Sequence, residues 1–293
     1  MVDGSPSGNP WYIDRESSDR KICHRIKKRI LSRKTKYQQV DIIDTVHLGL
    51  IVLLDNKIQS AERDEFIYHE ALVHPPMISH PAPRTIIILG GGEGATLREV
   101  LKHPSVRKVV MIDIDEEFVN ICRTYLMKWH RNSFEDSKAE MIFADAVDYL
   151  KKTEDRADVI IADISDPADK GPARLMYTRT FYSLVRAMLD RDGIFVTHAT
   201  DVCKPVKENV SVRIHRRMGG VFAKTSYYYE YIPSYGSQWA FITGSLKYSP
   251  EEISSSIVEK RVRQRKLGNL LYYSPETHKR LFCLPKHVRN III

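Results

Sequence analysis

The stretch TIIILGGGEGAT, Thr85 to Thr96, runs an unbroken apolar segment into a cluster of glycines. Ile86 to Leu89 read as a strand buried on both faces, and Gly90 to Gly94 as a turn that opens a helix from Ala95 to His103. The pattern repeats downstream. VRKVVMIDID, AEMIFAD, ADVIIADISD and GIFVTHAT read as strands, with EEFVNICRTYLMKW, AVDYLKK and FYSLVRAML as the helices among them. Ile/Val-rich strands alternating with helices predict βαβ units. The expected fold class is therefore α/β, a Rossmann-like doubly wound parallel sheet.

Upstream the period is different. Between Tyr37 and Ser60, the segments YQQVDIID, GLIVLLDN and KIQS read as short strands punctuated by Gly49 and by Asp55-Asn56. Such an antiparallel ribbon is too small for a core of its own. Asp64 to Val73 has helical spacing and is expected to stop at Pro75-Pro76, where a helix does not easily continue. The Pro-rich run HPPMISHPAPR supplies the boundary. Residues 1–83 are read as a disordered start (Met1 to Pro10) and a small N-terminal β domain, and residues 84–293 as the Rossmann-like domain with a basic C-terminal extension. The tail from Ser249 is expected to be a helical or strand extension that packs on a partner subunit.

With 43% hydrophobic and 28% charged residues, the composition is that of an ordinary soluble globular protein. No apolar run is long enough to cross a bilayer and no signal-peptide layout is present, which predicts a cytoplasmic protein without a membrane partner. The four cysteines are scattered, which argues against a disulfide framework and a zinc site. The net charge of +8 is concentrated between Arg20 and Lys36 and between Lys260 and Arg289. Neither block matches a nucleic-acid-binding motif, so solvated surface or an oligomer contact is the expected reading, with thermophile-like surface charge as a further possibility.

In a doubly wound sheet ligands sit beyond the carboxyl ends of the strands. There the sequence places Gly90, Gly91, Gly92 and Glu93, then Asp113 and Asp115 about twenty residues on, then Asp145-Ala146, then Asp163 and Asp166. A glycine loop followed by an acid at that distance points to an adenosine-type ligand. Glu93 inside the loop has the wrong sign for a diphosphate and suits a cation, which favours an S-adenosyl sulfonium over a dinucleotide. A cluster of Glu93, Asp163 and Asp166 would repel a donor carboxylate and attract a bare propylammonium, which fits decarboxylated S-adenosylmethionine. A metal at Asp163 and Asp166 is disfavoured, because no His or third acid follows at a suitable spacing, and no other cofactor is expected. Asp115 also reads as the N-cap of the next helix, and Asp169 and Lys170 as ordinary loop residues.

TKYQQVDI, DEFIYHE, GGGEGATLREVLKH and the D-x-x-D-P loop, in this order, closely resemble the spermidine synthase family of aminopropyltransferases, from about Tyr37 to about Ser245. The resemblance implies transfer of an aminopropyl group from decarboxylated S-adenosylmethionine to an amine, with release of 5′-methylthioadenosine. It implies that Asp163 helps to deprotonate the attacking amine and that Asp166, Tyr68, Tyr235, His198 and Trp239 are acceptor contacts, though core filling explains Trp239 equally well. On the donor side it implies Gln38, His69, Gly90 to Glu93, Asp113, Asp145 and Ala146. Family members often carry Asp where Glu93 stands. The long turn DISDPADKGPA and Glu93 look more like enzymes acting on longer amines. Spermidine converted to thermospermine is thus the first expectation for the acceptor, ahead of agmatine, cadaverine and putrescine. A homodimer or homotetramer is implied as well. The rival reading is a methyltransferase using intact S-adenosylmethionine, and a nucleic-acid-binding protein is a distant third.

Overall fold

The computed structural model describes residues 11–15, 20–166, 172–202 and 209–292. Met1 to Pro10, the ADKG segment with Asp169 and Lys170, Cys203 and Ile293 lie outside the described residues. The chain divides into two compact units, one formed by 1–66 with 232–236 and the other by 67–231 with 237–293. The sequence division at 83/84 lies later in the chain.

The first unit is a five-stranded antiparallel meander in the order β1-β2-β3-β4-β5: Trp11–Arg15, Lys21–Lys34, Gln39–Thr45, Gly49–Leu54 and Lys57–Ala61. Asp55 and Asn56 join β4 to β5 with φ of 48° and 62°, the left-handed pair a tight hairpin needs. One face buries Tyr12, Ile26, Ile43, Ile51 and Leu53, and Tyr235 packs against this cluster. Residues 233–236 are tied to the same unit by Ser234 N–H donating to Asp64 Oδ2 at 2.6 Å and Tyr235 Oη to the Gln59 carbonyl at 2.5 Å. The basic block proves to be β2. Two register shifts against β3, near Ile26–Lys28 and Arg29–Leu31, break the alternation that marks a strand.

The second unit holds a seven-stranded sheet in the order β11-β12-β10-β9-β6-β7-β8. Its elements are α1 (Glu65–Ser79), β6 (Thr85–Gly90), α2 (Ala95–Leu101), β7 (Lys108–Asp113), α3 (Glu116–Tyr125), α4 (Met127–His130), β8 (Ala139–Phe143), α5 (Ala146–Lys152) and β9 (Ala157–Asp163). They continue with α6 (Arg179–Met188), β10 (Leu189–Asp201), α7 (Val210–Gly219), β11 (Lys224–Ile232), β12 (Ser237–Ser245), α8 (Ser255–Gln264), α9 (Pro275–Leu281) and α10 (Lys286–Ile292). Ile86 to Leu89 are fully buried whichever side they face, so both surfaces of β6 are covered. The pairs joining β10, β9, β6, β7 and β8 are parallel, as expected. The sheet is nevertheless mixed, because β12 runs antiparallel to β10. A link of only four residues, 233–236, joins β11 to β12, far too short for a parallel crossover.

Two further expectations are corrected. Helix α1 does not stop at Pro75-Pro76 but runs through both. Pro75 has no N–H for the carbonyl of Ala71 one turn back, and the buried Tyr228 hydroxyl donates to it instead, at 2.9 Å. At the C-terminal end, Arg261 bonds to the carbonyls of Ile78 and Ser79, and Arg265 to those of Met77, His80 and Pro81. The tail packs within its own unit. Val258, Leu267 and Tyr273 bury Ile78 of α1, and Val288 joins the core beneath the sheet. Glu70 fastens the tail from the other side. Its buried carboxylate accepts the backbone N–H groups of Leu271, Tyr272 and Tyr273 at 2.8–2.9 Å.

Candidate active site

The strand order reverses at β6, and at such a switch point the chain leaves a crevice beyond the strand ends. There Gly90 of β6 stands in register with Asp163 of β9. The approach is close: Gly91 N–H donates to the Asp163 carbonyl at 2.7 Å. A Cβ on Gly90 would lie 2.2 Å from that carbonyl oxygen, and the φ values of 80° and 77° at Gly90 and Gly91 are ones that side chains disfavour. The glycines therefore let two strand ends converge and fix where the Asp163 side chain emerges.

That carboxylate is held at both oxygens. Tyr68 Oη, from α1, donates to Oδ1 at 2.9 Å, and Thr96 Oγ1, from α2, donates to Oδ2 at 2.6 Å. Each oxygen retains a second lone-pair direction for another donor. The Tyr68 ring is itself fixed by edge contact with His69, at a centroid distance of 5.1 Å, and by Phe241 at 5.5 Å.

Beyond Asp163 the chain of β9 passes Ile164 and Ser165 to Asp166, whose side chain is 52% exposed. His198 of β10 lies behind it. Trp239 Nε1–H donates to His198 Nδ1 at 3.2 Å. Indole nitrogen is only a donor, so Nδ1 accepts and Nε2 carries the proton, which it donates to the Ile164 carbonyl. Asp166 Oδ1 is 3.6 Å from Nδ1, and the Trp239 ring stacks on the imidazole at 6.2 Å. Tyr177 closes the group, with its hydroxyl 3.2 Å from His198 Nε2 and bonded to the Ser165 carbonyl. Burial, reinforced by the charge of Asp166, pushes this hydroxyl well above its ordinary pKa and keeps it protonated.

On the other side of the glycine loop the acids crowd together. Asp113, at the end of β7, accepts the Asp115 N–H at 2.9 Å, and Asp115 caps α3 through the Phe118 N–H at 3.0 Å. Burial pushes the Asp113 carboxyl up to about 7; the charges of Asp115 and Asp163 add to that push, and N–H bonds from Asp115 and Gly92 oppose it. Glu93 is nearly buried, at 9% exposure. Burial also raises the Cys122 thiol, helped by the charges of Glu93, Asp113 and Asp115. Asp145 caps α5 by accepting the Asp148 N–H at 3.0 Å, with Ala146 the first helical residue.

The second unit thus brings together Tyr68, His69, Gly90, Gly91, Gly92, Glu93, Asp113, Asp163, Asp166, His198 and Trp239, with Asp145 and Ala146 at the end of the outermost parallel strand, β8. Gln38 and Tyr235 belong to the first unit. Gln38 lies in the Thr35–Gln38 turn before β3, and Tyr235 sits against that unit's core. Two side chains join the cluster that the sequence does not single out, Thr96 and Tyr177. Thr96 closes the glycine-loop motif, and a hydroxyl on a fully buried helix face is the available sign. Tyr177 lies past the D-x-x-D-P turn with no pattern to mark it. Among the described residues no three His, Cys, Asp or Glu side chains gather as a metal site, and no helix is long and apolar enough to cross a membrane.

Known proteins are similar to this chain in sequence and fold. Residues 65–253 match the spermine/spermidine synthase domain and residues 10–62 the spermidine synthase tetramerisation domain. A polyamine aminopropyltransferase of Sulfurisphaera tokodaii is 38% identical over 282 residues, covering 96% of this chain and 93% of the relative. One from Aeropyrum pernix is 38% identical over 287 residues, covering 96% and 90%. A spermidine synthase solved in complex with the transition-state analogue AdoDATO superposes with a TM-score of 0.90 at 30% identity, covering 100% of this chain and 97% of its own. The spermidine synthase of Thermotoga maritima gives 0.88 at 30% identity, with the same coverage. The chain belongs to the spermidine synthase family, and it is an aminopropyltransferase.

Proposed function

We propose that this aminopropyltransferase takes decarboxylated S-adenosylmethionine as its donor and a polyamine as its acceptor, with Asp163 as the proton acceptor. The observation that carries this reading is the Asp163 carboxylate, held at both oxygens by neutral hydroxyls at a strand switch point among other acids. An ammonium approaching it has no lone pair until it gives up a proton, and a fixed carboxylate is the group to receive it. The freed amine attacks the methylene carbon bonded to sulfur. A C–N bond forms, the C–S bond breaks, and its electron pair neutralises the sulfonium to the thioether of 5′-methylthioadenosine. The proton resides on Asp163 and leaves to solvent. In this scheme positioning of the two substrates in line supplies much of the rate.

The remaining roles follow from charge and place. Asp113 takes the ribose hydroxyls, Glu93 the donor ammonium, and Asp145 with Ala146 the adenine end. Asp166 and the wall of His198, Trp239 and Tyr68 take the acceptor, whose ammonium groups suit carboxylate and aromatic faces alike. His69 supports the donor side, and the family resemblance of their motifs assigns Gln38 a donor contact and Tyr235 an acceptor contact. The acceptor we favour is spermidine, giving thermospermine, ahead of agmatine, cadaverine and putrescine. The length of the sequence DISDPADKGPA, together with Glu93, motivates this choice. The first unit carries the oligomer contact, as a dimer or tetramer, and the enzyme works in the cytoplasm.

Mass spectrometry of products from each sulfonium donor and a mixture of amines tests the proposal. Methylthioadenosine is expected only with the decarboxylated donor, together with a tetraamine from spermidine. A methylated amine from the intact donor would overturn the donor assignment, and turnover of putrescine alone would overturn the acceptor.

A further inference from the structure

We propose that Thr96 is a positioning residue for the aminopropyl transfer, holding the Asp163 carboxylate in the plane from which it takes the acceptor's proton. The inference rests on the reading of Asp163 given above. Thr96 is fully buried at the second position of α2, a helix whose residues from Ala95 to Val100 are all buried, and valine has the same shape without the hydroxyl. Among the described residues its hydroxyl meets one acceptor, Asp163 Oδ2, at 2.6 Å. A bond this short to an ionised oxygen is a charge-assisted one.

A single donor on a carboxylate leaves the group free to swing about its terminal torsion. Two donors on opposite oxygens, Tyr68 on Oδ1 and Thr96 on Oδ2, fix that plane. They come from different helices, and those helices are bound to each other. His74 of α1 bonds to Glu99 of α2 at 3.1 Å, both side chains having no exposed surface. His74 lies six residues after Tyr68 and Glu99 three after Thr96, so a buried bond ties together the two helices that carry the hydroxyls. The backbone is fixed as well, by Gly91 N–H on the Asp163 carbonyl at 2.7 Å. With main chain, Oδ1 and Oδ2 all held, the lone pairs left on the carboxylate point in directions the protein has chosen.

The test compares wild type with Thr96→Val, Thr96→Ser and Asp163→Asn, reading kcat and the KM of donor and acceptor separately. Thr96→Val keeps the shape and removes the donor. Its kcat is expected to fall about 10- to 100-fold, as for loss of a hydrogen bond to a charged group, with both KM values within about twofold. Thr96→Ser should restore most of the rate. An unchanged kcat in Thr96→Val, beside an Asp163→Asn enzyme that is inactive, overturns the role of Thr96 alone. A rise in donor KM that matches the fall in kcat/KM also overturns it, since that reports a disturbed glycine loop. An active Asp163→Asn enzyme overturns the reading of Asp163 and this inference with it. Should Thr96→Val fail to fold, Thr96→Ala and Thr96→Ser supply the same contrast.

Discussion

Two carboxylates in the second unit, Asp163 and Glu99, face opposite surroundings. Glu99 is fully buried among cationic or cationisable side chains: Arg98 at 2.7 Å, Lys102 at 2.7 Å and His74 at 3.1 Å. Burial alone would raise its pKa, but bonding to His74 and the charges of His74, Lys102 and Arg98 outweigh that and hold it well below the usual carboxylate range. His103 extends the network, 3.0 Å from His74 and 3.3 Å from Arg265, and burial keeps its ring neutral. Asp163 is instead held by hydroxyls, and its neighbour Asp113 is pushed up by burial and by other acids. One region has its charges balanced within the fold. The other gathers negative charge that a cationic ligand can balance, and this is how residues of the same type divide between scaffold and chemistry.

The sharpest way to break this contrast is to neutralise each acid in turn. Asp163→Asn is expected to lower kcat about 10²- to 10⁴-fold, the range for loss of a positioned acid or base, with little change in melting temperature. Glu99→Gln should do the reverse. Leaving Arg98 and Lys102 without their buried partner costs about 3 kcal/mol, to be read from the denaturant midpoint, while kcat per folded molecule stays near wild type. Equal stability losses in the two variants would end the distinction between them.

A third, smaller effect sharpens it through pH. In the proposed donor site, ribose hydroxyls would donate to an ionised Asp113, so donor binding is expected to require the deprotonated form. With its carboxyl up at about 7, the affinity for methylthioadenosine should fall about tenfold between pH 8 and pH 6. Calorimetric titration of wild type and Asp113→Asn checks this, the variant binding weakly with no such slope. Stability has a sign of its own: a carboxyl raised on folding favours the empty protein at low pH, and that advantage is lost as pH rises through about 7. The smallest effect belongs to the proline-bearing helix. Tyr228→Phe should cost about 1 kcal/mol by leaving the Ala71 carbonyl bare, and Pro75→Ala in the same chain should recover part of it by restoring an N–H. A Tyr228→Phe loss of the same size in the wild-type and Pro75→Ala backgrounds would show that the hydroxyl does not stand in for the missing bond.

Much of this fold is readable because its strands are continuous Ile and Val runs ended by Gly or Asp, a pattern that survives without tertiary information. What escapes is decided by distant partners. The strand Lys21–Lys34 hides because basic residues and register shifts mask its alternation, and its exposed face shows in no local pattern. A sound local rule cuts helix α1 short, since nothing near Pro75 announces Tyr228, 157 residues away from Ala71. The antiparallel β12 and the inward packing of the tail depend likewise on contacts across the unit. In the site, the acids at strand ends are visible singly. Thr96 carries no such mark, because its partner lies 67 residues further along and only the meeting of β6 with β9 brings them together.

The arginine caps on α1 have a consequence for how the chain comes to life. The helix that carries Tyr68 is among the first parts of the second unit to leave the ribosome, yet the guanidinium groups that satisfy its last carbonyls sit 182 to 188 residues behind. Glu70, two residues past Tyr68, likewise waits for amides some 200 positions later. A nascent chain can therefore shape its sheet early and still lack a finished α1, so that synthesis of the tail, rather than of the glycine loop or the acids, is the event that completes a working enzyme.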